Sequence, residues 1–341
     1  MTARSPLLAL TQGDPSGIGP ELAFSAWEIF RADPAAPRFV LLADIDLLRR
    51  RAAEIGRTIP LAVCATAADA VDVFASALPV LPLLSKAHGA AGVPDPGDAA
   101  ATIEAIERAV ALTFDGDTAA VVTNPIAKDV LYRAGFAHPG HTEFLGALAA
   151  QRTKATAHPV MMLWSDDLAV VPVTIHVALK DTPRLLTREL IVTTARIVAA
   201  DLQSRFGIAR PRLAISGLNP HAGEGGALGR EEIDVIAPAI ADLVALGVDA
   251  TGPWPADTLF HRAAREKYDA ALCMTHDQAL IPIKTIAFES AVNVTLGLPF
   301  VRTSPDHGTA FDIAGKGVAD PSSLIAALRL AARIAQTGDT R

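Results

Sequence analysis

Short apolar segments rich in β-branched residues alternate with longer helical patterns along most of the 341 residues. Parallel strands need a crossover connection between them, usually a helix, so this alternation predicts an α/β fold with a largely parallel sheet. In such sheets, ligands bind beyond the carboxyl ends of the strands, and the loops that follow strands are therefore the most informative. The predicted strands are Leu7–Leu10, Phe39–Ala43, Ala119–Thr123, Leu168–Ile175, Leu213–Ser216, Ala271–Met274 and Val292–Leu296. The predicted helices are Glu21–Phe30, Ala99–Phe114, Thr187–Phe206, Glu231–Leu246 and Ser322–Ala335.

The length of the chain exceeds what one ordinary hydrophobic core fills, and two domains are expected. The best candidate crossings between them are Pro139-Gly140 and the region around Pro299–Pro305. This predicts a first α/β domain built from both chain ends, residues 1–138 and 303–341. The second α/β domain then comprises residues 139–302.

Composition excludes several classes of function. The formal net charge is −7, without any long run of Lys or Arg, and aromatic residues make up 5% of the chain, so nucleic-acid binding is not expected. The apolar runs are strand-length, which argues against a membrane span or a signal peptide. Only two cysteines, Cys64 and Cys273, occur. A disulfide framework is therefore not expected, and a cytoplasmic protein is predicted.

Three histidines, His176, His221 and His276, each follow a predicted strand. Imidazoles suit zinc and other borderline divalent metal ions, and three protein ligands leave a coordination position open for a substrate. Asp277 and Glu224 are near enough in sequence to orient two of these rings. The alternative is that each histidine is a polar loop residue satisfied by the backbone, because the wide spacing matches no recognised metal motif.

Two further loops lead into predicted helices. The glycine-rich loop Gly13–Glu21 is neither a dinucleotide fingerprint, since Leu22 stands where the third glycine would fall, nor a P-loop, since no Gly-Lys-Ser/Thr follows. A tight strand-to-helix turn is the alternative. Further along, His141 and Thr142 precede a helix, where unpaired N–H groups attract anions. Thr142 could equally be a plain N-cap.

Three polar side chains near the carboxyl end lie in or beside apolar segments: Lys284, Asn293 and Arg302. Burying a lone charge is unfavourable, so these groups need a partner. A bound phosphate or carboxylate would serve, and Arg can bind it through two parallel hydrogen bonds. The alternative is an internal salt bridge with one of three carboxylates: Asp257, Asp306 or Glu289.

The last informative loop, Asp306–Gly317, places Asp312 between two glycine-containing turns. A carboxylate can accept hydrogen bonds from both hydroxyls of an adenosine ribose. Glycines allow a flat ring to approach the backbone. The pattern is compatible with a nucleotide site.

Taken together, these loops resemble the 4-hydroxythreonine-4-phosphate dehydrogenase family of vitamin B6 biosynthesis, from Gly13 to Gly317. The loop from His307 to Gly317 is also similar to the adenine-binding loop of isopropylmalate and isocitrate dehydrogenases. That likeness implies two α/β/α domains with a cleft between them and explains the missing dinucleotide fingerprint. The segments that carry the family resemblance are Gly140–Phe144, Asn219–Glu224, Gly252–Thr258, Asn293–Pro299 and Arg302–Ala310.

The resemblance implies a role for each matching residue. It implies that one divalent metal ion, zinc, magnesium or cobalt, is bound by His176, His221 and His276, the last of these contributed by the partner in a homodimer. It implies that NAD, or NADP, binds at the loop carrying Gly308, Thr309 and Asp312. The positions that match substrate contacts are His141, Thr142, Lys284, Asn293 and Arg302. Lys284 is the candidate for proton transfer, with Asp257 the second choice.

The implied reaction oxidises the C3 hydroxyl of 4-phosphooxy-L-threonine and loses CO₂ to give 3-amino-2-oxopropyl phosphate. Relatives that oxidise 4-phosphoerythronate, phosphothreonate or aromatic cis-dihydrodiol carboxylates share the histidines, so those substrates are alternatives. A metal-dependent hydrolase or lyase without nicotinamide and an acyl transferase acting on phosphate are alternatives from other classes. Ser16 stands where the family often has Ala, and Lys284–Ser290 differs from some relatives.

Overall fold

Strands and helices alternate along the chain, and the predicted α/β fold class is confirmed. The computed structural model describes residues 6–138 and 140–339. The strands are β1 (Leu7–Thr11), β2 (Arg38–Ala43), β3 (Leu61–Val63), β4 (Leu78–Pro82), β5 (Ala120–Val122), β6 (Val160–Trp164), β7 (Ala169–Pro172), β8 (Arg212–Ser216), β9 (Asp249–Trp254), β10 (Ala270–Cys273), β11 (Val292–Leu296) and β12 (Val301–Pro305). The α-helices are α1 (Gly19–Arg31), α2 (Ile45–Glu54), α3 (Asp69–Val73), α4 (Ala99–Phe114), α5 (Lys128–Arg133), α6 (His141–Thr153), α7 (Thr182–Leu185), α8 (Arg188–Ser204), α9 (Ala237–Ala245), α10 (Arg262–Arg265), α11 (His276–Ala287) and α12 (Ser322–Asp339).

The chain forms two compact units. The first unit takes the residues up to Pro159 and those from Leu298 onward, and the second takes Val160–Gly297. The domain boundaries predicted from the sequence, 138/139 and 302/303, stay a prediction. Pro139, the first residue of the predicted second domain, lies outside the described residues.

The first unit is built on a parallel sheet with the strand order β3-β4-β2-β1-β5-β12. The central strand β1 pairs with β2 and β5, with Leu8 opposite Phe39 on one side and Ala120 on the other. Helix α4 packs against β1 and β2, and α12 packs against β12 and β5. The carboxyl ends of β1, β5 and β12 therefore meet at one edge of this sheet.

Helix α1 shows how local sequence sets packing in the first unit. Pro20 lies in the first turn, where its missing N–H would have no intrahelical partner. Leu22, Trp27 and Phe30 follow and are buried, and the ring of Phe30 packs edge-on against that of Phe39 in β2, with the centroids 6.5 Å apart. The indole Nε1 of Trp27 donates to the carbonyl of Phe74 at 2.9 Å, so the one polar atom of this side chain is satisfied.

The second unit has the strand order β11-β6-β7-β10-β8-β9. Strands β7, β10, β8 and β9 are parallel, whereas β6 is antiparallel to both β11 and β7. The sequence pattern did not predict β6, and a short turn after Trp164 makes the next strand run back beside it. Helix α11 packs against β7 and β10, which brings its first residue to the carboxyl ends of these strands.

Two remaining expectations concern cysteines and membranes. Cys64 and Cys273 are both free thiols and both buried, one in each unit. Among the residues described, none of the helices combines the length and the apolar character that crossing a bilayer requires.

Candidate active site

His176 and His276 lie next to each other in the second unit. Strands β7 and β10 are parallel neighbours, so the loops that follow them leave the sheet at the same edge. His176 lies shortly after β7 and His276 shortly after β10. The two imidazole rings have their centroids 5.7 Å apart. Both line a cavity of about 310 Å³ together with Thr182 and Asp277.

The start of helix α11 holds His276 in place. The side chain of Thr275 accepts a hydrogen bond from the backbone N–H of Gln278, and the side chain of Gln278 accepts one from the backbone N–H of Thr275. This capping box fixes the helix to begin at His276. Nδ1 of His276 lies 2.7 Å from Oδ1 of Asp277, so a carboxylate orients the ring and leaves Nε2 as the available donor atom for a ligand bond.

His221 lies in an unusual turn after β8. Residues 221–225 all have positive φ, with φ 53° at His221 and 44° at Glu224. Left-handed conformations at non-glycine residues are unfavourable and concentrate at functional sites. The carboxylate of Glu232, which is buried, accepts the backbone N–H groups of Leu218 and Asn219 and holds this turn. Both His221 and Glu224 are exposed.

The histidines fit a metal ion by their chemistry, but the described part of one chain does not assemble all three. Between residues 6 and 339, Pro139 excepted, no group of three His, Cys, Asp or Glu side chains is arranged to hold a metal ion. His176 and His276 are brought together, and His221 is not. Two adjacent imidazoles, one oriented by a carboxylate, match the donor set of zinc and related ions.

Arg302 and His141 form a second polar centre, in the first unit. Arg302 projects from β12 and is only 4% exposed. Its Nη2 donates to Oγ1 of Thr123 at 2.7 Å and lies 3.5 Å from Nδ1 of His141. Nε2 of His141 is buried and has no hydrogen-bond partner among the described residues. A guanidinium and an imidazole therefore meet in a region shielded from water.

The surroundings change the protonation of both groups. Burial, together with the positive charges of Arg302 and Lys128, holds the pKa of His141 well below its usual range. Burial lowers the pKa of Arg302 to about 10, which leaves the guanidinium charged at neutral pH. An anion bound here would relieve the unfavourable burial of the cation. The arrangement thus suits a phosphate or carboxylate group.

Thr142 does not cap its helix. The N-cap position of α6 belongs to Gly140, and no side chain bonds to this helix terminus. The alternative interpretation of Thr142 as an N-cap is therefore wrong, because the helix begins two residues earlier than that interpretation requires. Thr142 lies in the first turn beside His141, half-buried, where its hydroxyl can meet an anion at the helix N-terminus.

The remaining polar residues predicted for the site belong to the second unit. Lys284 lies on α11, half-buried, with its ammonium 5.3 Å from the centroid of the Phe288 ring. Asn293 lies half-buried in β11. Asp257 is exposed in a short 3₁₀ turn and lines a cavity of about 810 Å³ with Asp277 and Thr285. The predicted substrate contacts thus divide between the units, with His141, Thr142 and Arg302 in the first.

The loop predicted to bind the nucleotide offers an open surface near its start. Gly308 is exposed, and a Cβ atom built there would meet nothing within 4 Å. The carboxylate of Asp312 is also exposed. Gly315 differs, since a Cβ atom there would lie 2.7 Å from that of Ala91. The space for a flat ring is therefore at Gly308, whereas Gly315 packs closely against Ala91.

The glycine-rich loop near the N-terminus is a buried structural turn. Residues 13–19 are all buried. A Cβ atom at Gly13 would lie 2.7 Å from the carbonyl oxygen of Pro125, and one at Gly19 would lie 2.3 Å from that of Gln12. These two glycines allow close backbone packing, as the alternative of a tight strand-to-helix turn predicts.

Sequence reasoning missed several residues that build these centres. Thr123 ends a predicted strand, so its strand-end position was an available signal. Lys128 and Glu232 carried no such signal, because each lies in a polar stretch typical of solvent-exposed helix ends. Only the fold places the charge of Lys128 near His141 and buries the carboxylate of Glu232 under the His221 turn.

Comparisons with known proteins show which family this chain is similar to. The family model of the pyridoxal phosphate biosynthetic protein PdxA matches residues 35–331. A 4-hydroxythreonine-4-phosphate dehydrogenase of Methylorubrum populi is 63% identical, over 96% of this chain and 94% of its own. The protein of the same name from Bradyrhizobium diazoefficiens is 59% identical, over 96% of each chain. The chain belongs to the PdxA family. This membership confirms the predicted family and the prediction of an oxidoreductase.

Solved structures agree with the PdxA assignment. The crystal structure of 4-hydroxythreonine-4-phosphate dehydrogenase from Klebsiella pneumoniae has a TM-score of 0.84 at 37% identity, covering 98% of this chain and all of that one. A terephthalate 1,2-cis-dihydrodiol dehydrogenase from Burkholderia xenovorans has a TM-score of 0.63 at 27% identity, covering 97% and 98%. A branched-chain phosphotransacylase from Enterococcus faecalis has a TM-score of 0.54 at 11% identity, covering 96% and 98%, which shows a shared fold alone.

The lowered pKa of His141 predicts a pH dependence of stability. Below the ordinary histidine value of 6.5, the unfolded chain takes up a proton at His141 that the folded chain does not, so folding loses stability as the pH falls. Urea unfolding at about pH 7.5 and about pH 5 should therefore show a smaller loss of unfolding free energy in His141→Asn than in the wild type. His158 is exposed, and His158→Asn should retain the wild-type loss. Equal losses in all three proteins would contradict a His141 that stays neutral in the folded chain.

Proposed function

We propose that the protein catalyses the NAD⁺-dependent oxidation of 4-phosphooxy-L-threonine at C3, using a divalent metal ion, followed by decarboxylation to 3-amino-2-oxopropyl phosphate in vitamin B6 biosynthesis. In the structure, the observation that carries this proposal is the buried guanidinium of Arg302 beside neutral His141. Such a pair is a directional partner for a phosphate group. Membership of the PdxA family supports the choice of substrate.

The proposed roles follow from side-chain chemistry. Arg302, His141 and Thr142 hold the phosphate, and Asn293 contributes an amide to the polar end of the substrate. Lys284 accepts the proton of the C3 hydroxyl while hydride passes from C3 to the nicotinamide. The bond between C1 and C2 then breaks, CO₂ leaves with C1, and C2 takes up a proton. Asp257 is the second choice for proton transfer.

We further propose that His176 and His221 bind the metal ion together with His276 of the partner subunit in a homodimer. When bound, the metal ion supplies Lewis acidity at the oxygen on C3. An all-imidazole donor set favours zinc or cobalt over magnesium, which prefers oxygen ligands. Support for a dimer comes from exposed apolar side chains of the second unit. Leu179 and Ile281, exposed by 75% and 64%, line one cavity, and Phe288, exposed by 73%, directly follows the helix that carries Ile281.

For the cofactor, we propose binding at Gly308, Thr309 and Asp312, with NAD preferred over NADP. The open space at Gly308 suits an adenine ring. The exposed Asp312 carboxylate would accept hydrogen bonds from the ribose hydroxyls and would repel a 2′-phosphate.

The proposed domains are residues 1–138 with 303–341, and residues 139–302. Two buried free thiols suit the proposed cytoplasmic location.

A substrate panel tests the proposed function. Purified protein with zinc and NAD⁺ would be given four kinds of substrate: 4-phosphooxy-L-threonine, 4-phosphoerythronate, phosphothreonate and an aromatic cis-dihydrodiol carboxylate. NADH formation and CO₂ release should be fastest with 4-phosphooxy-L-threonine. Faster turnover of the dihydrodiol would favour the activity named for the relative from Burkholderia xenovorans. Metal-dependent turnover of substrate without NADH formation would instead support a hydrolase or lyase.

Replacement of Lys284 tests the proton-transfer role. Lys284→Met removes the amine and keeps the length of the side chain, so kcat should fall by roughly 10²–10⁴-fold. Metal content, measured by atomic absorption, should stay at the wild-type level. Lys267→Met is the matched control, since Lys267 is exposed in the same unit and should tolerate the change. Retained turnover in Lys284→Met would exclude this role for the amine.

Mixing of subunits tests the shared metal site. His221→Asn and His276→Asn should each be inactive alone. A mixed dimer contains one subunit of each variant. Its His276→Asn subunit keeps His176 and His221, and the His221→Asn subunit supplies His276, so one of the two sites is intact. Random reassortment should therefore restore about a quarter of the wild-type turnover. If all three ligands came from one chain, as the proximity of His176 and His276 allows, mixing would restore none.

A further inference from the structure

Glu21 is a buried carboxylate with backbone partners from a distant loop. It lies in the first turn of α1 and is only 3% exposed. Its Oε1 accepts the backbone N–H of Gly315 at 2.6 Å, and its Oε2 accepts that of Gly317 at 3.1 Å. Both glycines have positive φ, 78° and 67°, and their N–H groups converge on one carboxylate, while the N–H of Lys316 between them donates to the carbonyl of Ile313. A side chain of the protein thus fills this anion cradle.

Arg51 completes the arrangement from helix α2 and is 1% exposed. Its Nη1 lies 3.0 Å from Oε1 of Glu21 and also donates to the carbonyl of Gly17 at 2.6 Å. Its Nη2 donates to the carbonyl of Pro15 at 3.0 Å. The guanidinium therefore bonds both the carboxylate and the backbone of residues 13–19, called here the glycine loop.

The same pair reaches the loop proposed to bind the nucleotide, residues 308–317, called here the Asp312 loop. Glu21 binds its far end through Gly315 and Gly317. The near end rests on the glycine loop, because the N–H of Ile18 donates to the carbonyl of Thr309 at 3.1 Å. A Cβ atom at Gly17 would lie 3.0 Å from that carbonyl oxygen, so the two backbones are in close contact.

Asp312, which is exposed, lies between these two anchors, and Gly308, which faces open space, directly precedes the first of them. Neither is held by a regular strand or helix, so the position of the Asp312 loop depends on its anchors. A carboxylate with two backbone N–H donors and a guanidinium holds a loop more firmly than neutral hydrogen bonds would. The charges are buried, so removing Arg51 leaves Glu21 without its counter-ion, whereas removing Glu21 leaves Arg51 paired with the partly exposed Glu54 alone.

We propose that Glu21, supported by Arg51, is a positioning residue for nucleotide binding. It holds the Asp312 loop in the shape that receives the adenosine part of the cofactor, and it does so through Gly315 and Gly317 without touching the nucleotide. This inference rests on the proposed function, which assigns the nucleotide to the Asp312 loop. The buried contacts of Glu21 thus affect the affinity for the cofactor and not the chemical step.

The test compares Glu21→Gln with Glu54→Gln. Glu54 is 43% exposed and pairs with Nε of Arg51 at 3.2 Å, so its replacement removes a carboxylate from the same arginine without releasing the Asp312 loop. Titration of NADH fluorescence should give a Kd at least about tenfold higher in Glu21→Gln, the effect expected when hydrogen bonds to a charged group no longer order the loop. Glu54→Gln should keep the wild-type Kd. The KM for the phosphorylated substrate, and kcat at saturating NAD⁺, should stay within about twofold in both variants.

Glu21→Asp guards against simple loss of folding. It keeps the negative charge beside Arg51 but shortens the side chain by one methylene, so it should fold and still bind NADH more weakly than the wild type. A folded Glu21→Gln with wild-type NADH affinity would overturn the inference. Failure of both Glu21 variants to fold would also overturn it, because the role would then be structural. Absence of NADH binding by the wild-type protein would instead refute the proposed function.

Discussion

The buried pair of Glu21 and Arg51 is the interaction on which the loop architecture of the first unit depends. Two full charges are held at 3% and 1% exposure, and each is satisfied by backbone groups from loops far apart in sequence. Taking charges out of water is unfavourable, so such a pair persists only where every donor and acceptor is matched. The glycine loop and the Asp312 loop supply those matches, and Gly315 and Gly317 donate to Glu21 from positive-φ conformations that other residues avoid.

A second constraint is the direction of the strands in the second unit. Parallel neighbours β7 and β10 deliver His176 and His276 to one edge, and hydrogen bonding of the capping box sets the residue at which α11 begins. The antiparallel strand β6 lies on the other side of β7 and leaves that edge unchanged. Residue identity alone would allow three loop histidines to be unrelated. Sheet topology brings the rings of two of them, His176 and His276, together with their centroids 5.7 Å apart.

The first unit shows how burial tunes a polar site. Arg302 keeps its charge at neutral pH although burial lowers its pKa to about 10, and His141 beside it is kept neutral. A cation next to a neutral imidazole attracts an anion more selectively than two exposed cations would, since water does not screen it. The same burial explains why a phosphorylated substrate is proposed here while the chain as a whole carries a formal net charge of −7.

The sequence by itself determined the α/β class, the strand-end position of the three histidines and the family, because apolar periodicity and local motifs are short-range properties. It also identified Arg302, His141 and the Asp312 loop as candidates. Only the tertiary structure decided that Arg51, one of three consecutive arginines, is buried, that β6 runs antiparallel, and that Gly140 rather than Thr142 caps α6. Burial, strand direction and pKa depend on partners distant in sequence, such as Gly315 for Glu21 and Thr123 for Arg302, and no local pattern encodes those contacts.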